Sequence, residues 1–414
     1  MTRFTGYRFV FGVVCCVLFL FTVYINRDYV SHMVIPNTIY NTNPPFNTHH
    51  PYSQNINKSH DLHLTDYEIK PEVTTGSHKL TGYAQDINST NCSPIQDMAF
   101  LKVHKCGSST TSNLLHRYSI KNHLNTVLTK KRNNYWILGS ASEVIPLPKG
   151  EYFNILDLDT FYNKALYQKV VPHAKFYLAI MREPVSRYIS FEFDGSFHGG
   201  KFRRNMSQVY MFEDPNAGDR RSLLQQMSNE FGLSISSRFD DKLIKSHLET
   251  IDKEFNFVII REYYDESLIL LRRRLCWRMQ DVLYIRKNTN LKKKPSPITP
   301  SGREKLEKLL KADVIFYNHF KNKLFKSIHE LGVGFLHEVS HYRRVLKLVR
   351  DYCVYGKDMW PNVDIEASVW NDKFSVSKED CELMLLVEAP MVKMMTEKAM
   401  ARYQASLKTQ DSKS

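Results

Sequence analysis

The run Phe100-Leu101-Lys102-Val103-His104-Lys105-Cys106-Gly107-Ser108-Ser109-Thr110-Thr111 constrains the fold more than any other part of the chain. Its apolar approach, Met98–Val103, reads as a buried strand. Its Ser/Thr-rich end opens a helix from Ser109 to about Tyr118, with Leu114 and Leu115 facing inward and the hydroxyls suited to capping. Gly107 lets the backbone between them turn tightly and approach a ligand. Successive N–H groups and the positive end of the helix then favour an anion. Lys105 adds a full charge, Cys106 lies within the turn, and Ser108, Ser109, Thr110 and Thr111 add hydroxyl donors. The segment reads as a phosphate grip. It is not a Walker loop, because the Gly-x-x-x-x-Gly-Lys-Ser/Thr spacing is missing and the lysine precedes the glycine, so no magnesium site of that kind, nor any other metal site, is expected.

A second segment, Met181-Arg182-Glu183-Pro184-Val185-Ser186-Arg187-Tyr188-Ile189-Ser190, reads as a strand end entering a helix. Pro184 suits a first helical turn. The Arg182 fork and the Ser190 hydroxyl can hold one phosphate from two sides. Arg187 either assists or pairs with Glu183 one turn back. The two segments together suit a nucleotide with two phosphorylated positions.

Further strands are expected at Tyr152–Leu156, Lys175–Met181 and Phe255–Ile260, with a short one at Val282–Ile285. Helical periodicity marks Ser222–Phe231, Lys242–Phe255, Tyr264–Trp277, Ser301–Leu310 (opening Ser-Gly-Arg-Glu, a capping-box pattern), Val314–Leu331 and Phe335–Arg350. Strands alternating with helices imply an α/β fold: a central parallel sheet flanked by helices, with an α-rich C-terminal part.

Phe9–Ile25 is uncharged and mostly apolar, near the lower limit of about 17–25 residues for a membrane-spanning helix. No small-residue cleavage pattern follows, so a retained anchor is favoured over a cleaved signal peptide. Arg3 and Arg8 precede it, which favours a cytosolic tail (1–8), an anchor (9–25), a polar lumenal stem (26–91) and a lumenal catalytic domain (92–414). Asn57, Asn88, Asn91 and Asn205 begin glycosylation triplets. An oxidising lumen suits two disulfides. Proximity in sequence suggests Cys353 with Cys381, and Cys92 with Cys276; Cys106, in the loop, is the free thiol. The net charge of +14 suits an anionic ligand, but no zinc-finger spacing or aromatic RNA-binding signature accompanies it, so nucleic acid is not expected.

Lys-x-His-Lys-x-Gly-Ser-Ser-Thr from Lys102, followed by Arg-Glu-Pro-x-x-Arg-x-x-Ser from Arg182, resembles the galactose 3-O-sulfotransferases, a Golgi group that includes galactosylceramide sulfotransferase. The stretch from Arg261 through Asp265-Glu266-Ser267-Leu268 to Leu275-Cys276-Trp277 narrows the resemblance. It implies a P-loop-like sulfotransferase domain and 3′-phosphoadenosine 5′-phosphosulfate (PAPS) as donor. The first loop would hold the 5′-phosphosulfate, with Lys102 kept as a donor-site residue by the family match. Arg182 and Ser190 would hold the 3′-phosphate. The partners implied are galactose-terminated glycolipid or glycoprotein glycans and the Golgi membrane, in single-pass type II orientation; a homodimer is compatible with the reading.

Lys105 is the candidate for stabilising the leaving oxygen, and His104, with its pKa range, for the general base. Many relatives carry a His-His pair after an Asn-Ile-Leu strand. Here Phe153-Asn154-Ile155-Leu156 is followed by Asp157-Leu158-Asp159, which implies a different specificity, an aspartate in the histidines' role or impaired activity, and gives His104 more weight as the base. Tyr188, Phe191 and Phe193 are aromatics that either stack on a sugar or fill the core. Two other readings stay open: a sulfotransferase for a heparan- or chondroitin-like acceptor, and a silent protein that binds PAPS or glycans without turnover.

Overall fold

The computed structural model describes residues 92–130, 138–193, 226–286 and 298–411. The expected anchor, the stem, the asparagines of all four glycosylation triplets and the lysine run at 292–294 lie outside them. Among the described residues, no helix is long and apolar enough to cross a membrane.

Four strands form one parallel sheet: β1 (Met98–Leu101), β2 (Ile155–Leu158), β3 (Phe176–Met181) and β4 (Phe257–Ile260). The order is β2-β1-β3-β4. Leu101 pairs with Leu158 on one side and Ala179 on the other, and Met181 pairs with Ile260. The strands read as nearly continuous apolar runs because helices cover both faces; every residue of β1 and β4 is buried. After β1 the chain runs to β2 on one side, then crosses to β3 on the other. β1 and β3 therefore flank a topological switch point, where open α/β sheets bind ligands outside the carboxyl ends of their strands.

Helix α1 (Ser108–Lys121) follows β1 and buries Leu114, Leu115 and Tyr118. Helix α2 (Lys164–Val170) precedes β3, and α3 (Pro184–Phe193) follows it. The helix expected at Ser222–Phe231 is shorter among the described residues: α4 spans only Met227–Glu230, because Gln226 before it is extended. Asp240 caps α5 (Asp241–Glu254) by accepting from Lys242 and Leu243 N–H, and α5 buries Ile244, Leu248 and Ile251 at helical spacing. Helix α6 (Tyr264–Leu275) follows β4.

The C-terminal part is helical, as expected: α7 (Pro300–Leu309), α8 (Lys311–Asp351), α9 (Lys378–Leu385) and α10 (Glu388–Asp411), with an antiparallel hairpin of β5 (Asn362–Ile365) and β6 (Phe374–Ser377). The two helices expected at Val314–Leu331 and Phe335–Arg350 are the arms of α8. Gly332 divides them at φ 66°, ψ −161°, a conformation that glycine adopts at little steric cost. Both disulfides form as expected, Cys92–Cys276 and Cys353–Cys381, and Cys106 is free and buried.

Three local expectations are corrected. Val282–Ile285 is not a strand: Met279–Val282 is a 3-10 turn with Arg278 and Asp281 in a capping box. Helix α7 is capped by Thr299, whose hydroxyl accepts from Gly302 N–H, with Pro300 in the first turn, rather than by Ser301. Helix α1 follows Gly107 as its N-cap residue and has no side-chain cap, although Ser and Thr crowd its first turn.

Candidate active site

The loop after β1 is built under strain. Lys105 has φ +62° and Gly107 φ +90°. The left-handed region costs an ordinary residue roughly 1–2 kcal/mol, so the surroundings must hold it. Two arginines do so from the segment after β3. Arg182 Nη1 donates to the Lys105 carbonyl at 3.0 Å, and Arg187 Nε donates to the His104 carbonyl at 3.1 Å. The two segments singled out in the sequence thus meet at the switch point.

Cationic groups converge there. Lys105 is half-buried, and burial, then Arg187 and Arg182, lower its pKa. Burial, then Arg261, brings Arg182 down to about 10. Its Nε is buried without a hydrogen-bond partner. Arg261 follows β4 as Arg182 follows β3, and a Cβ on Gly107 would lie 3.4 Å from Arg261 Nε. An uncapped helix start, a glycine closely overhung by an arginine and an orphaned guanidinium nitrogen suit a polyanionic ligand.

A carboxylate–imidazole cluster adjoins these groups. His104 Nδ1 lies 2.8 Å from Glu230 Oε2, which also accepts from the His104 backbone N–H at 2.9 Å. Arg187 Nη2 donates to Glu230 Oε1 at 2.7 Å, so Arg187 pairs with Glu230 and not with the Glu183 side chain. Glu183 accepts instead from Val185 and Ser186 N–H. His104 Nε2 is 3.7 Å from Asp159. Burial alone would depress the His104 pKa; Glu230 and Asp159 outweigh it and the opposing Arg187, and hold it above 6.5.

A sequence model of the galactose-3-O-sulfotransferases matches residues 56–369. The chain belongs to the galactose-3-O-sulfotransferase family. It is 28% identical to mouse galactose-3-O-sulfotransferase 2 over 257 residues, 57% of this chain and 64% of that protein. It is 25% identical to human galactosylceramide sulfotransferase over 285 residues, 64% of this chain and 66% of that protein. It is 27% identical to bovine galactose-3-O-sulfotransferase 3 over 266 residues, 58% of this chain and 62% of that protein. The chain thus spans a little under two thirds of the length of these relatives.

Within this family member the expected residues separate by geometry. His104, Lys105, Gly107 and Arg182 come together at the switch point. Ser109 is exposed and Thr110 half-buried on the first turn of α1, while Ser108 is buried. Thr111 is turned away, its hydroxyl 2.9 Å from Tyr264 in the core. Cys106 also points inward, toward the His104 carbonyl and Met227 sulfur, and burial pushes its thiol up to about 12; only its main chain is available to a ligand. Lys102 is buried between Asp159, at 3.2 Å, and Glu388. These carboxylates, with Asp157, overcome its burial and raise its pKa, so its charge is already balanced. Ser190 lies half-buried well along α3, and among the described residues no hydrogen bond joins it to Arg182. Tyr188 and Phe191 are core residues.

Asp157 and Asp159, the two aspartates at the end of β2, have different surroundings. Asp157 is buried beneath α1, accepts from Ser112 at 2.8 Å and lies 3.1 Å from His116. Asp159 is the one that reaches Lys102 and His104. Sequence reading did not single out Glu230, His116 or Glu388. Glu230 lies 126 residues from His104, so no local spacing could reveal the pair.

Proposed function

We propose that this protein is a PAPS-dependent carbohydrate sulfotransferase that sulfates the 3-hydroxyl of terminal β-galactose. The observation carrying this reading is the strained β1–α1 loop, clamped by Arg182 and Arg187 and followed by an uncapped helix start. Family membership supplies the reaction class, and the relatives' names supply galactose and galactosylceramide as acceptors. Among the described residues, no cluster of His, Cys, Asp and Glu is arranged to hold a metal ion.

PAPS supplies the sulfuryl group, with 3′-phosphoadenosine 5′-phosphate as the leaving group. The loop N–H groups and the start of α1 bind the 5′-phosphosulfate, and Arg182, with Ser190 further along α3, takes the 3′-phosphate. Lys105 offsets charge on the leaving phosphate oxygen. His104 takes the proton of the acceptor hydroxyl, and Asp159 stabilises the imidazolium that results. Most of the acceleration comes from positioning and charge, as in phosphoryl transfer. Within this reading the anchor at 9–25 places residues 92–414 in the Golgi lumen, where galactose-terminated glycolipids and glycoproteins are the partners.

The test is incubation of the protein with radiolabelled PAPS and galactosylceramide, lactose-type and Gal-β1,3-GalNAc acceptors, 3-O-blocked galactosides and desulfated heparan. Label on free but not 3-blocked galactosides is expected. Label on heparan alone would overturn the galactose assignment, and no label despite PAPS binding would favour a silent binding protein.

A further inference from the structure

His104 is held through both its main chain and its ring. One oxygen of Glu230 faces both its backbone N–H and its ring Nδ1; the other takes Arg187 Nη2, and Arg187 Nε returns to the His104 carbonyl. The ring closes through two elements, α3 and α4, that share no local sequence with the β1 loop. Glu230 and Arg187 are both almost completely buried. An ordinary structural ion pair needs only its two charges. Here the pair also engages the main chain on both sides of one histidine and one of its ring nitrogens.

The clamp is itself supported. Asp313, buried on α8, accepts from Met227 N–H at 2.9 Å, Ser228 N–H at 2.8 Å and Ser228 Oγ at 2.6 Å. These bonds fix the start of α4, three residues before Glu230. The carboxylate therefore meets His104 from a braced turn rather than a mobile loop.

We propose that Glu230, steadied by Arg187, is the positioning residue of the base: it accepts the Nδ1 proton of His104 and so fixes Nε2 as the nitrogen that receives the acceptor's proton. This rests on the reading of His104 as the base. A buried carboxylate on one ring nitrogen selects the tautomer and supports the cation formed when the other is protonated. Among the described residues, the charged groups that act on the ring include Glu230 from α4, Asp159 after β2 and Arg187 from α3. Nε2 is the nitrogen directed toward Asp159. The step balances: the hydroxyl O–H bond breaks as Nε2–H forms, the oxygen bonds the donor's sulfur as the sulfur–phosphate oxygen bond breaks and 3′-phosphoadenosine 5′-phosphate leaves, and the imidazolium later returns its proton to water.

The experiment is a pH–rate profile of the full chain, wild type against Glu230→Gln and Glu230→Asp, with histidine-selective 15N NMR of the same proteins without substrate. Glu230→Gln is expected to lower kcat about 10–100-fold, with KM for PAPS changed less than twofold. It should move the acid limb to lower pH, since a carboxylate that favours the imidazolium has been removed. Glu230→Asp should restore the limb. The wild-type 15N shifts should place the neutral ring's proton on Nδ1. An unmoved acid limb in Glu230→Gln, or a wild-type proton on Nε2, would overturn the proposal. If Glu230→Gln does not fold, the wild-type tautomer and Glu230→Asp decide. Because the tautomer is read without turnover, the test stands even if PAPS proves not to be the donor, in which case the wild type transfers no label.

Discussion

Lys105 carries its charge in a backbone conformation that a lysine adopts only when held, and two arginines do the holding. Lys105→Ala should cut transfer roughly 10²–10³-fold by analogy with removing one charge-stabilising group from a transition state. Its melting temperature should stay near wild type, which a thermal melt beside the assay would check. The proton on His104 produces opposed effects. With its folded pKa above 6.5, the protonated histidine contributes stability that is fully present below the unfolded pKa and is lost as pH rises through the folded one. A base must be unprotonated, so activity should rise over the pH range where that stability fades. Melting temperature and initial rate measured from pH 5.5 to 8.5 should run in opposite directions; parallel curves would count against His104 as the base. At this scale the sequence was informative about residue type and less so about direction. The loop cations and Gly107 were legible because their chemistry is local. Thr111 and Cys106 turn inward because the helix start is also a core position, and Lys102 is balanced by a carboxylate 286 residues away.

The helices were legible where periodicity was sustained. The division of α8 at Gly332 follows the break between two apolar runs. The Val282–Ile285 segment misled because its apolar residues meet tertiary partners rather than a neighbouring strand: the Tyr342 hydroxyl donates to the Val282 carbonyl at 2.6 Å, and that of Tyr284 to Asp265 at 2.7 Å. The second arm of α8 is tied to α6 by charge. Arg272 reaches Glu338 at 2.6 Å, Arg273 joins the same carboxylate, and Arg343 spans Asp265 and Glu266. The arginine run at 272–274 is thus internal fastening, with Arg274 donating to the Asn256 carbonyl and lying over Phe257. Glu338→Ala would leave the buried Arg272 without its counter-ion, and should cost roughly 3–5 kcal/mol, measured as a fall in melting temperature. The Cys353–Cys381 bridge closes a loop of 28 residues between the end of α8 and α9. Cys381→Ser should remove stability on the order of 3–4 kcal/mol on the chain-entropy account, detectable by the same melt.

Across the whole chain, the family match ends at residue 369, yet the C-terminal residues beyond it reach the site. Asn113 on α1 donates to the Leu383 and Leu386 carbonyls, and Glu388 bonds Lys102 and Ser109. Met391 and Met395 of α10 pack with Leu128 and Ile145. Removing residues 388–414 should leave Lys102, among the described residues, with Asp159 alone as its direct carboxylate contact and uncover that apolar cluster. Transfer should fall by about tenfold or more through misplacement of the loop, with a lower melting temperature; full activity in the truncated chain would show that α10 is dispensable. The parallel sheet was legible from its uninterrupted apolar strands, whereas the meeting of β1, β3, α4 and α10 depends on a topology that spacing alone does not encode. The most direct test of the central claim is calorimetric binding of 3′-phosphoadenosine 5′-phosphate and of ADP, each without magnesium, to the wild type and Arg182→Ala. The account predicts that the 3′-phosphorylated nucleotide binds without metal, that ADP binds much more weakly, and that Arg182→Ala loses about 10–100-fold in affinity for the former. Equal affinity for the two nucleotides, or unchanged binding in Arg182→Ala, would contradict it.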